Sequence, residues 1–150
     1  MKGRAFVLAV CAAAAAQGAE PVSAERGRQL YRGETALVAR IAGQDFALPA
    51  NASRCANCHS PSPSPSSASA AALADTQRIG PLLTPDSLTQ PARRRGGPAS
   101  RYDSAALCKL LRSGVDPAHI IILRAMPRYD ISDDDCAAIW LHLTSSKARP

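Results

Sequence analysis

The chain has 150 residues, a formal net charge of +6, five cysteines, two methionines and a thin aromatic supply of one Trp, three Tyr and two Phe. This length holds one ordinary domain and leaves no room for two. The basic excess is modest, and its one dense cluster, Arg93-Arg94-Arg95, lacks interleaved aromatics; it reads as a solvated loop, and nucleic acid is excluded as a partner.

Met1-Lys2-Gly3-Arg4 followed by the apolar stretch 5–16 is a basic n-region and a short hydrophobic region, the pattern of a secretory signal peptide. Ala16-Gln17-Gly18 offers small residues for cleavage after Gly18, which leaves residues 19–150 as a single domain. The apolar stretch is shorter than the ~20 residues that a membrane span needs, and no other segment approaches that length, so the mature chain is expected to carry no integral span. Ser23 then caps a helix with Glu25 in its first turn, running to about Arg32 and stopped by Gly33. Gly27, Leu30 and Tyr31 share one face of it. Leu37, Ile41, Phe46 and Leu48 around Gly43 suggest a short hairpin or an irregular loop over residues 35–50.

Cys55-Ala56-Asn57-Cys58-His59 carries the most chemistry. Cys-x-x-Cys-His is the pattern that attaches a c-type haem. Two thiols three positions apart can each form a thioether to one porphyrin edge, and the next residue places an imidazole under the iron. Two other readings stand beside it. Cys55, Cys58, Cys108 and Cys136 could form a four-cysteine zinc cluster, and Cys-x-x-Cys also serves as a thioredoxin-like redox pair, which wants a βαβ context absent from this sequence.

Residues 60–72 are Ser, Pro and Ala almost throughout and read as an exposed loop. Gly80-Pro81-Leu82 continues the loop, and Thr84 caps a short helix starting near Pro85. The Pro- and Gly-interrupted stretch 91–100 cannot be a helix interior. Asp103 caps a helix from Ser104 to Ser113 that Gly114 ends, with Leu107, Leu110 and Leu111 on its apolar face and Cys108 beside them. Asp116-Pro117 turns the chain into the apolar run 120–123. Ser132 and Asp135 form a capping box for a final helix from Asp133 to about Ser145, whose core face is Cys136, Ile139, Trp140 and Leu143. No strand ladder is visible, and the expected fold class is all-α.

Cys11 leaves with the signal peptide, and with Cys55 and Cys58 given to haem, Cys108 and Cys136 remain. In an oxidising compartment this pair invites a disulfide, with two separate buried thiols as the alternative. A haem held by one His needs a second ligand or an open site. Met126 is the one methionine outside the signal peptide, and Pro127 stiffens the loop Ala125-Met126-Pro127-Arg128-Tyr129 that presents it. Its thioether is a soft ligand suited to haem iron, or else a core filler.

These residues together resemble the class I c-type cytochromes: an N-terminal haem motif, a Gly80-Pro81-Leu82 element, a Met-Pro loop tens of residues later, and a Ser-Asp cap opening the last helix. The resemblance covers about residues 24–145. It implies a cytochrome c fold of about three to five helices around one covalent haem c, with long irregular loops and the last helix packed across the first. It further implies thioethers at Cys55 and Cys58, axial ligands His59 and Met126, a hydrogen bond from His59 to the Pro81 carbonyl, and haem attachment outside the cytoplasm, hence a periplasmic protein. Residues 33–54 form an insertion relative to the family, and Cys108 and Cys136 are not general to it.

The function so implied is one-electron transport between redox partner proteins of dehydrogenase or oxidase type, by a monomer or a subunit of a transient complex, and not enzymatic turnover. One alternative is a haem enzyme or sensor with a labile sixth ligand, for which His119 and His142 are the available distal groups. A secreted four-cysteine zinc module is the other. Arg124, Arg128, Tyr129 and Trp140 either meet the haem or serve as surface charge and core packing.

Overall fold

Ser23 accepts a hydrogen bond from the Arg26 amide at 3.1 Å and opens α1 (Ala24–Arg32); Gly33, at φ 72°, closes it in a left-handed conformation that glycine adopts without strain. The computed structural model describes residues 21–59 and 80–145. The signal peptide expected over 1–18 and the Ser/Pro/Ala-rich loop expected over 60–72 lie outside the described residues. A single turn, α2 (Ala56–His59), carries the Cys-x-x-Cys-His motif. In α3 (Pro85–Thr89), Thr84 and Ser87 cap each other reciprocally. The Asp103 carboxylate accepts from the Ala106 amide at 2.7 Å to start α4 (Ser104–Ser113), which Gly114 ends. Ser132 accepts from the Asp135 amide at 3.1 Å to start α5 (Asp133–Thr144), where three aspartates meet the positive end of the helix dipole. The Asp135 carboxylate takes Arg26 Nε at 3.0 Å, tying α5 to α1.

The expectation of an all-α cytochrome c fold is corrected by two small antiparallel sheets, which make the fold mixed α/β. Strand β1 (Val38–Arg40) pairs with β4 (Arg128–Asp130), setting Val38 opposite Asp130, Ala39 opposite Tyr129 and Arg40 opposite Arg128. Strands β2 (Ala92–Arg93) and β3 (Ala99–Ser100) form a hairpin. Ala39 is fully buried between two exposed neighbours, so β1 follows the alternation of a half-buried strand, but over too few residues to register as a pattern. Of the two readings for 35–50, a short hairpin or an irregular loop, the strand pairing gives the second: β1 finds its ladder partner in distant β4, while the chain turns at 41–44, with the Gln44 amide on the Ile41 carbonyl at 3.0 Å, and returns to β1 through the Leu48 amide on the Ala39 carbonyl at 2.7 Å.

The basic cluster is likewise more than a solvated loop. Arg94 donates to the carbonyls of Ser87, Ala92 and Ser100 and lies over the Tyr102 ring, 5.2 Å from its centroid. Arg95 pairs with the buried carboxylate of Asp116 at 3.3 Å.

The core forms where α1 crosses α5, burying Leu30 and Tyr31 against Ala138, Ile139 and Leu143. Gly27 makes the crossing close, because a Cβ there would stand 1.9 Å from the Ala138 carbonyl oxygen. The Tyr31 and His142 rings meet at 5.3 Å. A disulfide between Cys108 and Cys136, with Cα atoms 5.3 Å apart, joins α4 to α5. Among the described residues, no helix is long and apolar enough to cross a membrane.

Candidate functional site

The Cys55 carbonyl accepts from the amides of Cys58 at 3.2 Å and His59 at 3.0 Å, winding the motif into one tight turn. Cys55 and Cys58, both free thiols, are therefore three residues apart on one helical face. The turn is held at both ends by phenols from other elements. Tyr129, from β4, donates to the Ser53 carbonyl at 2.9 Å, and the Cys55 thiol donates to its oxygen over 3.9 Å. Tyr31, from α1, donates to the His59 carbonyl at 2.9 Å.

His59 Nδ1 lies 2.8 Å from the Pro81 carbonyl oxygen. A carbonyl can only accept, so Nδ1 carries a proton, and in the neutral ring Nε2 is the nitrogen left with the lone pair, the arrangement of a metal-ligating imidazole. Gly80 permits this approach. A Cβ there would lie 2.5 Å from His59 Cε1 and 2.7 Å from Nδ1. The Gly80 amide also donates to the Cys58 carbonyl at 3.2 Å, which fixes the 80–82 segment against the motif.

Burial pushes the Cys55 thiol up to about 11. It stays un-ionised at neutral pH, the opposite of the activated thiolate that a Cys-x-x-Cys redox pair needs. Burial, the largest cause, raises Tyr31 and Tyr129 as well, so both remain proton donors to their carbonyls.

Met126 is half-buried against the core in the loop that leads into β4. Its amide donates to the Leu123 carbonyl at 3.2 Å, and its carbonyl accepts from Arg128 Nη1 at 2.5 Å. Arg124 donates to the Ala42 carbonyl through Nε at 3.2 Å and Nη2 at 2.8 Å. The segment 33–54 thus grips this loop at two points, through Ala42 and through β1 pairing with β4.

The donor set fits a haem c. Two free thiols on one turn, an imidazole whose Nδ1 is bonded to a carbonyl and a loop-borne thioether are the groups such a cofactor uses. It fits a four-cysteine zinc site poorly, since the sulfurs of Cys108 and Cys136 are bonded to each other. Among the described residues, no group of three His, Cys, Asp or Glu side chains could hold a metal ion. His119 is exposed at φ 61° in a turn anchored by Asp116, and His142 rests on Tyr31 between α1 and α5. Arg124 and Arg128 spend their guanidinium groups on backbone carbonyls, and Trp140 packs half-buried on the core.

Sequence reasoning passed over Tyr31 and Ser53 as parts of this site, had Gly80 only within the Gly80-Pro81-Leu82 element, and left Tyr129 open. Tyr31 carried a faint signal, a hydroxyl on an otherwise apolar helix face, which implies a buried acceptor. No protein-family model, curated protein or solved structure matches the chain.

Proposed function

We propose that the chain is an exported monohaem c-type cytochrome, of the class I kind, that carries single electrons between redox partner proteins outside the cytoplasm. The observation that carries this reading is the Cys55, Cys58 and His59 turn with the imidazole oriented by Pro81, so that two free thiols and an imidazole bonded through Nδ1 lie within one turn. The export signal at residues 1–18 and the cysteine pairing support it.

When bound, a haem supplies one-electron chemistry between ferrous and ferric iron. Cys55 and Cys58 would hold it by thioethers, and His59 Nε2 and the Met126 thioether would ligate the iron. Pro81 keeps the His59 ring in one tautomer and raises its basicity. Tyr31 and Tyr129 fix the backbone on either side of the motif, so ligand positions need not rearrange on electron transfer. A methionine ligand favours the reduced state. No substrate bond changes and no proton moves.

The test is to export the full chain in a host with c-type haem attachment and assay haem that survives denaturation. The expected result is one covalent haem per chain, lost in the double variant Cys55→Ala/Cys58→Ala. The ferric spectrum should carry the weak far-red methionine band, absent in Met126→Ala. Bound zinc without covalent haem would overturn the proposal. A high-spin ferric protein that binds small ligands readily would replace the carrier with the enzyme or sensor.

A further inference from the structure

We infer that Arg128 is the positioning residue for Met126, its guanidinium locking the loop that presents the thioether onto the end of α4. This rests on the reading of Met126 as an axial ligand. Arg128 Nη1 donates to the Met126 carbonyl at 2.5 Å, and Nη2 donates to the Ile122 carbonyl at 3.4 Å. One planar group therefore holds both ends of the segment 122–126. The Ile122 amide in turn donates to the Gly114 carbonyl at 2.9 Å, so the same segment is tied to the C-terminus of α4.

The guanidinium lies directly on that terminus. A Cβ at Gly114 would stand 2.1 Å from Arg128 Cζ and displace the guanidinium, and the φ of 74° at this position favours glycine in its own right. A cation is favoured at this end of a helix, where unpaired carbonyls concentrate negative potential. Among the described residues the hydrogen bonds of Arg128 go to carbonyls alone. Its neighbour in the same cleft, Arg112, is occupied with the Ile131 carbonyl and with Asp133, and cannot take over the task. The strand register also sets Arg128 opposite Arg40, a like-charge pair that disfavours the sheet and needs a compensating role.

Adjacent residues of β4 thus serve the two halves of the proposed site. Arg128 holds the Met126 loop, and Tyr129 holds the segment entering Cys55. A rigid fork can bridge two carbonyls where a lysine ammonium, a compact point charge, serves them less well.

The experiment compares holoprotein of the wild type, Arg128→Gln, Arg128→Lys and the control Arg112→Gln. It reads the far-red band of the ferric form, the midpoint potential, imidazole binding, and hydrogen exchange of the 122–126 amides. Losing charge-assisted hydrogen bonds to the loop should make imidazole bind roughly tenfold more tightly in Arg128→Gln, with a weaker band, a lower potential and faster exchange. Arg128→Lys should lie between it and the wild type, and Arg112→Gln should keep the wild-type band. A wild-type band, potential and imidazole affinity in Arg128→Gln would overturn the inference while leaving the Met126 reading intact. Should Arg128→Gln not be recovered as folded protein, wild-type values in Arg128→Lys would overturn it equally. A wild-type protein without the band, or a band that survives Met126→Ala, would instead defeat the Met126 reading and the inference with it.

Discussion

Replacing Gly27 with alanine should reverse the usual sign of that substitution. In an isolated helix alanine is favoured over glycine by about 1 kcal/mol. Here the new Cβ would lie 1.9 Å from the Ala138 carbonyl oxygen, 2.4 Å from its carbon and 2.8 Å from His142 Cβ. The overlap with the carbonyl is roughly 1.5 Å relative to ordinary contact. A backbone carbonyl inside α5 cannot rotate aside, so the helices must part. Opening a packed interface by about 0.5 to 1 Å forfeits a quarter to a half of its dispersion energy, and this interface buries Leu30, Tyr31, Ile139 and Leu143. Overpacking of this kind costs about 1 to 3 kcal/mol; with so rigid an obstacle we take the upper end, and the propensity gain leaves a net loss of about 2 kcal/mol. Urea denaturation of the protein at 25 °C, followed by far-ultraviolet circular dichroism, should show a lower midpoint at an unchanged slope. Adding Ala138→Gly should not rescue it, because the obstacle is the carbonyl and not the side chain. A Gly27→Ala protein as stable as the wild type, or more so, would refute the close crossing.

Three further outcomes follow from other contacts. The double variant Cys108→Ala/Cys136→Ala removes a crosslink spanning 28 residues and should lose about 3 to 4 kcal/mol on a chain-entropy estimate; an unshifted urea midpoint would contradict it. Asp116 is fully buried, its Oδ1 accepting from the Ala118 and Ile120 amides at 2.9 Å each and its Oδ2 meeting Arg95 at 3.3 Å. Asp116→Ala should therefore cost about 3 kcal/mol in thermal or urea unfolding, and Asp116→Asn, which keeps an acceptor for both amides, about 1 kcal/mol; equal losses would show that the Ala118 and Ile120 bonds contribute little. Burial first, then the charges of Arg32 and Arg28, holds His142 below its ordinary 6.5. The unfolded chain thus takes up the proton first, so this contribution is complete above about 6.5 and is lost as pH falls through the lower folded value. Melting temperatures should drop on acidification below 6.5, less steeply in His142→Gln, and an identical slope in the variant would remove His142 as the cause.

Apart from the single turn α2, which was not expected as a helix, the helices were legible because each is punctuated locally. Ser23, Thr84, Asp103 and Ser132 cap them, and Gly33 and Gly114 stop two of them, by chemistry contained within a few residues. The strands were not. Val38–Arg40 becomes a strand only because Arg128–Asp130 arrives beside it from far along the chain, and β2 and β3 are shorter than any readable alternation. The site divides in the same way. Cys55, Cys58 and His59 announce themselves by spacing, whereas Ser53 and Tyr31 take their roles from tertiary contacts that no window of sequence contains. Arg94 and Arg95 misled as a pair of surface charges, since neither the buried Asp116 carboxylate nor the converging carbonyls around Arg94 could be seen from their neighbours.

The bond between Cys108 and Cys136 also changes what a break in the backbone means. Every residue between those two cysteines, Met126 included, lies inside a closed covalent ring. A single protease cut in the 115–127 stretch would open the ring without dividing the molecule, and the fragments would separate only on reduction. Their ends would stay together at the high effective concentration of an intramolecular pair. Wherever reductant is scarce, the loop bearing Met126 can be nicked and still remain at its post.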